Sequence, residues 1–419
     1  MAKTGDQVEV SLGKQVLKGV MLPASDSNHI VLKQDSGYNI VLEKSKIKVT
    51  KIIKGATKIK SPQKSIKNGS KLPTIGILFT GGTIACKIDY ETGGVSPLFS
   101  PGELFDTFPE LKKLTNIETF NLSSVPSEDF DFSIYNTIAK KIKELDGKVK
   151  GIIVTQGTDT LHYSTSILSF ILEDINMPVV VVGSQRSSDR GSTDSAQNVL
   201  SAAYFITKTD FKGVVSCMHE TTDDKTCLIL HAHNTRKMHT SRRDAFRPIN
   251  RLPIADVNFK KKEINYYSEY DNKGGKTKLH PLNEKIKVGW IKHRPGIPVE
   301  EYTSKEKFDG LLIEGTGFGH VNINNPKILT VITKLSKKMP VIMTSQCLYG
   351  RVNLTLYTNG KRVVNAGVTP IVQGLTPETA YCKLVWLLSN FPKNKVAELF
   401  EKDFRGENIL RITEETFLL

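Results

Sequence analysis

The chain has 419 residues, 39% hydrophobic and 24% charged, the make-up of an ordinary soluble protein long enough for two to three domains with a large core. Its formal net charge is +15, yet no apolar run approaches the roughly 20 residues that span a bilayer, and the lysine-bearing N-terminus lacks a signal-peptide core. Cys86, Cys217, Cys227, Cys347 and Cys382 include no CxxC pair; this spacing predicts neither a zinc site nor a disulfide framework and fits a reducing cytoplasm, with no membrane partner.

Residues 1–54 carry short alternating runs, QVEVSL, QVLKGVML, HIVLKQ and YNIVLEK, with turn residues at Gly13, Asn28 and Gly37. They predict a small antiparallel barrel or sandwich. Ten lysines and no acid lie between Lys44 and Lys71. Such a run can steer a polyanion, but a solvated linker is the leading reading, and few aromatics are interleaved for stacking on bases. Residues 55–73 mix Gly, Ser, Pro and Lys without periodicity and read as a lysine-rich linker.

From Thr74 the texture changes to strand and helix in alternation. Strands are predicted at IGILFT, GIIVT, PVVVVG and GVVSCM, with helices at SIYNTIAKKIKEL, TSILSFILEDI and SAQNVLSAAYFITK between them. That order argues a doubly wound parallel sheet over 74–284. A polar stretch, roughly 247–285, precedes a second α/β unit over 285–419, with strands KVGWI, GLLIEG and PVIMT and late helices within ETAYCKLVWLLS and KVAELFEKD. The fold class expected is α/β, a two-domain parallel-sheet fold behind a small all-β N-terminal domain.

Ligands in such sheets bind at the carboxyl ends of strands. Three strand ends carry polar clusters: Gly81-Gly82-Thr83, Gln156-Gly157-Thr158-Asp159-Thr160, and Arg236-Lys237-Met238-His239-Thr240. The first matches neither GxxxxGK[ST] nor GxGxxG, so a phosphate cradle is disfavoured. An ordinary turn and a presented nucleophile remain. A threonine hydroxyl needs an adjacent base; Lys237 is a candidate base and Asp159 a candidate for orienting it.

TGGTIA (80–85) and QGTDT (156–160), in this order and each at a strand end, resemble the two signatures of the bacterial-type L-asparaginase/glutaminase family over roughly residues 74–419. The resemblance implies Thr83 as nucleophile, Tyr90 in KIDYETGG as the tyrosine of a mobile lid, and Thr158, Asp159 and Lys237 as a hydroxyl–carboxylate–amine triad. It implies that Ser127 and Glu128 hold the α-amino and α-carboxylate groups of the substrate, with Gly82 and Gly157 in the binding loops. The family has glutamine where Glu128 stands. That departure, the N-terminal β domain, RKMHTSRRDAFRPIN (236–250), GTGFGH (315–320) and TSQCLYGRVN (344–353) resemble the branch that serves archaeal tRNA-dependent amidation. The branch implies a glutaminase that passes ammonia to a GatE-like amidotransferase partner acting on Glu-tRNA(Gln). No cofactor is expected in this chain, ATP and Mg being used by the partner, and the core is expected to be a homodimer.

Other signals point less far. His231, His233 and His239 cluster without the carboxylate or cysteine pattern of a metal site, so no metal is expected, and His239 is expected to shape the site floor. Glu314 and His320 read as a glycine-rich turn or as a loop reaching a neighbouring subunit. RSSDRGSTDS (186–195) reads first as a surface loop before an N-capped helix, with RNA contact by its arginines as the alternative. Two rival functions stand beside the first: a free-standing L-asparaginase, and an RNA-binding module on an inactive asparaginase fold.

Overall fold

The structure is a computed structural model that describes residues 6–22, 28–34, 39–54, 65–66, 71–82, 84, 86–88, 95–97, 104, 107–186, 192–270, 272–409 and 411–417. At the N-terminus, β1 (Gln7–Leu12), β2 (Gln15–Leu22), β3 (His29–Lys33), β4 (Asn39–Glu43) and β5 (Ile47–Lys54) form an antiparallel sheet ordered β4-β3-β2-β1-β5. Period-two alternation sends Val8, Val10, Ile30, Leu32 and Leu42 into one small core. The fifth strand has no clear signature in the sequence because lysines interrupt it. IKVTKIIK nevertheless pairs along β1, Val49 opposite Val10, while Lys48 and Lys51 stay exposed.

Part of the expected linker, 55–64 and 67–70, lies outside the described residues; Ser65–Ile66 (β6) is a short strand. The main sheet is built from β7 (Thr74–Phe79), β10 (Asn116–Asn121), β11 (Gly151–Thr155), β13 (Pro178–Val182), β14 (Gly213–His219), β15 (Cys227–His231), β18 (Ala255–Asn258) and β19 (Glu263–Tyr266) with β6. Its order is β19-β18-β15-β14-β13-β11-β7-β10-β6. Five central strands, β14 to β10, are parallel, but β15, β18, β19 and β6 are added through antiparallel pairings. The expected parallel sheet is therefore mixed at both edges, and the polar stretch 247–285 supplies two of the edge strands. β10 is absent from the predicted strands because NIETFN shows no apolar run.

Between these strands lie the hairpin β8 (Cys86–Ile88) and β9 (Val95–Pro97), β12 (Leu172–Glu173) paired with β20 (Lys278–Leu279), and the hairpin β16 (Thr235–Lys237) and β17 (Phe246–Pro248). Helices α1 (Phe132–Leu145) and α2 (Leu161–Ile171) cover one face and α3 (Ser195–Lys208) the other. Along β7, Ile75, Ile77 and Phe79 face α3 while Leu78 faces α1 and α2. The second predicted helix begins and ends four residues earlier than its sequence run. Lys278, His280 and Arg405 gather on the Glu173 carboxylate, and Asp174 turns the chain at φ 57°.

The second unit is the parallel sheet β21 (Val288–Lys292), β22 (Gly310–Gly315), β23 (Val341–Ser345) and β24 (Val368–Pro370). It carries α4 (Glu300–Thr303), α5 (Pro326–Ser336), α6 (Thr358–Asn365), α7 (Pro377–Asn390) and α8 (Val396–Phe400). α7 packs on α2 and fuses the units into one apolar core, with Phe170 stacked on Trp386 at 5.5 Å. Asn250, buried at φ 59°, ties the units from another side: its amide donates to the carbonyls of Leu348, Gly350 and Gly374.

A buried ion pair locks the tail onto α7. Lys383 Nζ lies 2.6 Å from Glu407 Oε1, both side chains at zero exposure. Burial opposes the Glu407 charge, but the Lys383 ammonium and the N–H groups of Phe404 and Arg405 hold its carboxyl below the ordinary range. Removing one member of such a pair strands the other charge. Lys383→Met should lower the unfolding free energy by about 3–5 kcal/mol, with much of the loss recovered in Lys383→Met/Glu407→Gln. Urea titrations of both variants check this; a single variant as stable as the parent would exclude the pair as a determinant.

Candidate active site

The parallel order reverses at β7, which has β10 on one side and β11 on the other, so a crevice opens beyond its carboxyl end. The loops that follow β7, β10, β11 and β13 are stitched together there. Thr80 donates its N–H and its hydroxyl to the Thr155 carbonyl (3.1 and 2.8 Å). Ser123 Oγ donates to the Thr80 carbonyl (2.7 Å), and Thr160 Oγ1 to the Ser127 carbonyl (2.7 Å).

Glycines let these loops touch. Gly82 sits at φ +82°, and a Cβ there would fall 2.4 Å from the Gln156 carbonyl carbon and the Gly157 nitrogen. A Cβ on Gly157 would meet Ser127 Oγ at 2.9 Å. Both were predicted as binding-loop residues, and both line one cavity of about 440 Å³ with Ser127, Glu128, Thr158, Asp159 and Lys237.

The predicted triad meets inside it. Lys237 Nζ lies 2.8 Å from Thr158 Oγ1 and 2.7 Å from Asp159 Oδ1. The lysine side chain is 9% exposed, that of Asp159 68%. Lys237 ends β16, whose partner β17 places the buried Phe246 opposite it. Asp244, buried beneath the hairpin turn, accepts from Arg242 and Arg247 and so fixes the loop; the Arg242 hydrogen bonds hold its carboxyl below the ordinary range. Thr83 and Tyr90, the expected nucleophile and lid tyrosine, lie outside the described residues.

The histidines do other work. His233 is buried between Ser166 Oγ and Ser169 Oγ (3.3 and 3.0 Å), and His231 Nε2 meets Ser268 Oγ at 3.2 Å. His239 Nδ1 accepts the N–H groups of Ser241 and Arg242, and the neighbouring Thr240 lines the cavity. Among the described residues no group of three His, Cys, Asp or Glu side chains is placed to hold a metal. Glu314 accepts from Trp290 Nε1 at 2.6 Å, and neither it nor His320 lines this cavity.

Sequence reasoning missed Ser184 and Gln185, which line the cavity from the end of β13. It also missed the buried Asp194 that holds them. Asp194 stands at the N-cap position of α3, yet its carboxylate turns back to accept from Ser184 Oγ and from the N–H groups of Gln185 and Arg186 (2.9, 3.0 and 2.9 Å). The available signal was position: 184–186 follow a predicted strand, as the other site loops do.

Comparison with known proteins places the chain. Family models for the asparaginase N-terminal domain, the glutaminase/asparaginase C-terminal domain and the GatD N-terminal domain match residues 74–271, 287–400 and 2–52. The chain is 36% identical to the D-type component of glutamyl-tRNA(Gln) amidotransferase from Methanococcus maripaludis over 96% of this chain and 97% of that protein. It is 38% identical to the corresponding component from Sulfolobus acidocaldarius over 96% and 91%. Among solved structures it resembles the thermostable L-asparaginase of Thermococcus kodakarensis, with TM-score 0.73, 28% identity, and coverage of 80% of this chain and 99% of that one. L-asparaginase I of Vibrio cholerae gives TM-score 0.70 at 26% identity, covering 81% and 100%.

Two outcomes follow from the geometry. Gly82→Ala forces a Cβ into the 156–157 backbone at positive φ, so it should cost about 1–3 kcal/mol of stability and splay the cavity; an unchanged thermal midpoint would contradict the close approach. His233 is held neutral by burial, its pKa falling from 6.5 to about 3. The unfolded chain therefore takes the proton first, and stability is complete above about pH 6.5 and falls as pH drops toward 3. Thermal midpoints between pH 7 and 4 should fall less steeply for His233→Gln than for the parent; parallel curves would remove His233 from the acid response.

Proposed function

The chain belongs to the GatD family of glutamyl-tRNA(Gln) amidotransferase components, and on that premise we propose that it is the glutaminase half of the amidotransferase. The observation that carries this reading is the contact of Lys237 with both Thr158 and Asp159 beside the Gly82–Gly157 approach. Thr83 follows Gly82 directly in the chain. Its hydroxyl oxygen attacks the side-chain carbonyl of glutamine, and the C–N bond breaks. The hydroxyl proton leaves with the nitrogen as ammonia, and an ester remains on Thr83. Water then cleaves that ester to glutamate and restores the hydroxyl.

In this scheme Lys237 moves protons through Thr158 while Asp159 holds the ammonium in place, a contribution of about 10²–10⁴-fold for base assistance. Backbone N–H groups of the 81–83 loop stabilise the oxyanion. Ser127 and Glu128, across the same cavity, hold the α-carboxylate and α-ammonium. Tyr90 closes over the substrate as part of a lid. Ammonia passes to a GatE-like partner that activates Glu-tRNA(Gln) with ATP and Mg, and two such partners assemble on a homodimer of this chain.

A glutaminase that ran unpartnered would waste glutamine, so turnover should rise when partner and Glu-tRNA are present. The test measures ammonia release from glutamine and asparagine by the isolated chain and by the complex. Thr83→Ala and Lys237→Ala should each lose at least about 100-fold while keeping their circular dichroism spectra. Equal rates with and without the partner, with asparagine preferred, would favour a free-standing asparaginase. Full turnover by a folded Thr83→Ala variant would overturn the nucleophile.

A further inference from the structure

Gln185 carries more than its place in the cavity wall. Its backbone is fixed from below. The N–H donates to Asp194 Oδ2, and its neighbours Ser184 and Arg186 donate to Oδ1 of the same buried carboxylate. Asn198 Nδ2 steadies the anchor, 3.1 Å from Asp194 Oδ2 and 2.9 Å from the Gly183 carbonyl. The side-chain amide then reaches across β11's end, its Oε1 3.4 Å from Thr158 Oγ1. Its Nε2 is buried and, among the described residues, has no hydrogen-bond partner.

The two ends of this amide have different consequences. A protonated Lys237 gives only donors, so at 2.8 Å its ammonium takes a lone pair of Thr158 Oγ1. The Thr158 proton must then point elsewhere, and Gln185 Oε1 is the acceptor on that side. Nε2 is a donor withdrawn from water beside a cavity, an expensive arrangement until an acceptor meets it. A carboxamide entering this end of the cavity would offer its oxygen as that acceptor.

We propose that Gln185 is a substrate-contacting residue: its Nε2 donates to the carbonyl oxygen of the amide undergoing hydrolysis, while its Oε1 orients the Thr158 hydroxyl. This rests on the amidohydrolase reading above. A contact to the reacting oxygen strengthens as negative charge builds there, so it acts on kcat more than on KM.

The experiment uses the full complex with Glu-tRNA and compares the parent with Gln185→Met and Gln185→Glu. Gln185→Met removes the donor while keeping the volume, so the thermal midpoint should hold and kcat for glutamine should fall about 10–100-fold with little change in KM. Gln185→Glu places a carboxylate against the oxygen and should be poorer still near pH 8. Relative to the parent it should recover as pH falls, because a protonated carboxyl again donates. A Gln185→Met enzyme with parental kcat, or one whose only change is a raised KM, would overturn the assignment. So would a Gln185→Glu enzyme with no recovery on acidification. If the parent itself fails to hydrolyse glutamine, the amidohydrolase reading fails instead. Calorimetric titration with L-glutamate then decides on Gln185: binding about tenfold weaker in Gln185→Met supports the contact, and equal binding overturns it.

Discussion

Backbone touching backbone beyond the ends of β7 and β11 is the constraint on which the site depends. The hydroxyl groups around the cavity are short: a threonine hydroxyl reaches barely past its own Cα, so the loops must come to one another. Gly82 against Gln156–Gly157, Gly157 against Ser127, and Gly183, where a Cβ would stand 2.7 Å from Thr158 Cγ2, each remove a side chain that would hold two loops apart. The close approach also explains the hydroxyl stitches. Thr80, Ser123 and Thr160 satisfy carbonyls that the packed loops withdraw from water.

The same need for rigidity reaches far from the cavity. α2 begins at Leu161, directly after Thr158–Thr160, and its other end is gripped by the C-terminal tail. Arg405 Nε lies 3.2 Å from the Ser169 carbonyl, and one of its terminal nitrogens 3.3 Å from both the Phe170 carbonyl and Glu173. A cation there complements the negative end of the helix. Glu407, paired with Lys383, accepts the backbone N–H of Arg405 and so fixes the residue that grips. The second unit therefore contributes to the site of the first by clamping the helix whose opposite end carries it.

Most of this was legible wherever one physical signal dominated. IGILFT, GIIVT and PVVVVG are buried central strands, and nothing but a buried strand suits so short and continuous an apolar run. The polar clusters after them marked the site, and Thr158, Asp159 and Lys237 meet as read. NIETFN and IKVTKIIK were not legible as strands, because pairing with β7 and with β1 decides their state, not local pattern. Asp194 was missed for a related reason. A carboxylate before a helix has two uses, capping the helix amides or holding a loop, and only the tertiary position of 184–186 selects between them.

The unequal shelter of Lys237 and Asp159 sets how the pair can act. The ammonium is nearly enclosed, while the carboxylate that balances it is open to solvent. Water on Asp159 weakens the attraction it exerts, since Coulomb energy scales inversely with the effective dielectric. Anything that covers Asp159 strengthens the pair, and anything that draws the carboxylate away weakens it. Glu128 and Asp159 both line the cavity, and an α-ammonium group entering it is attracted by both carboxylates. A cation held there would therefore compete with Lys237 for the Asp159 charge.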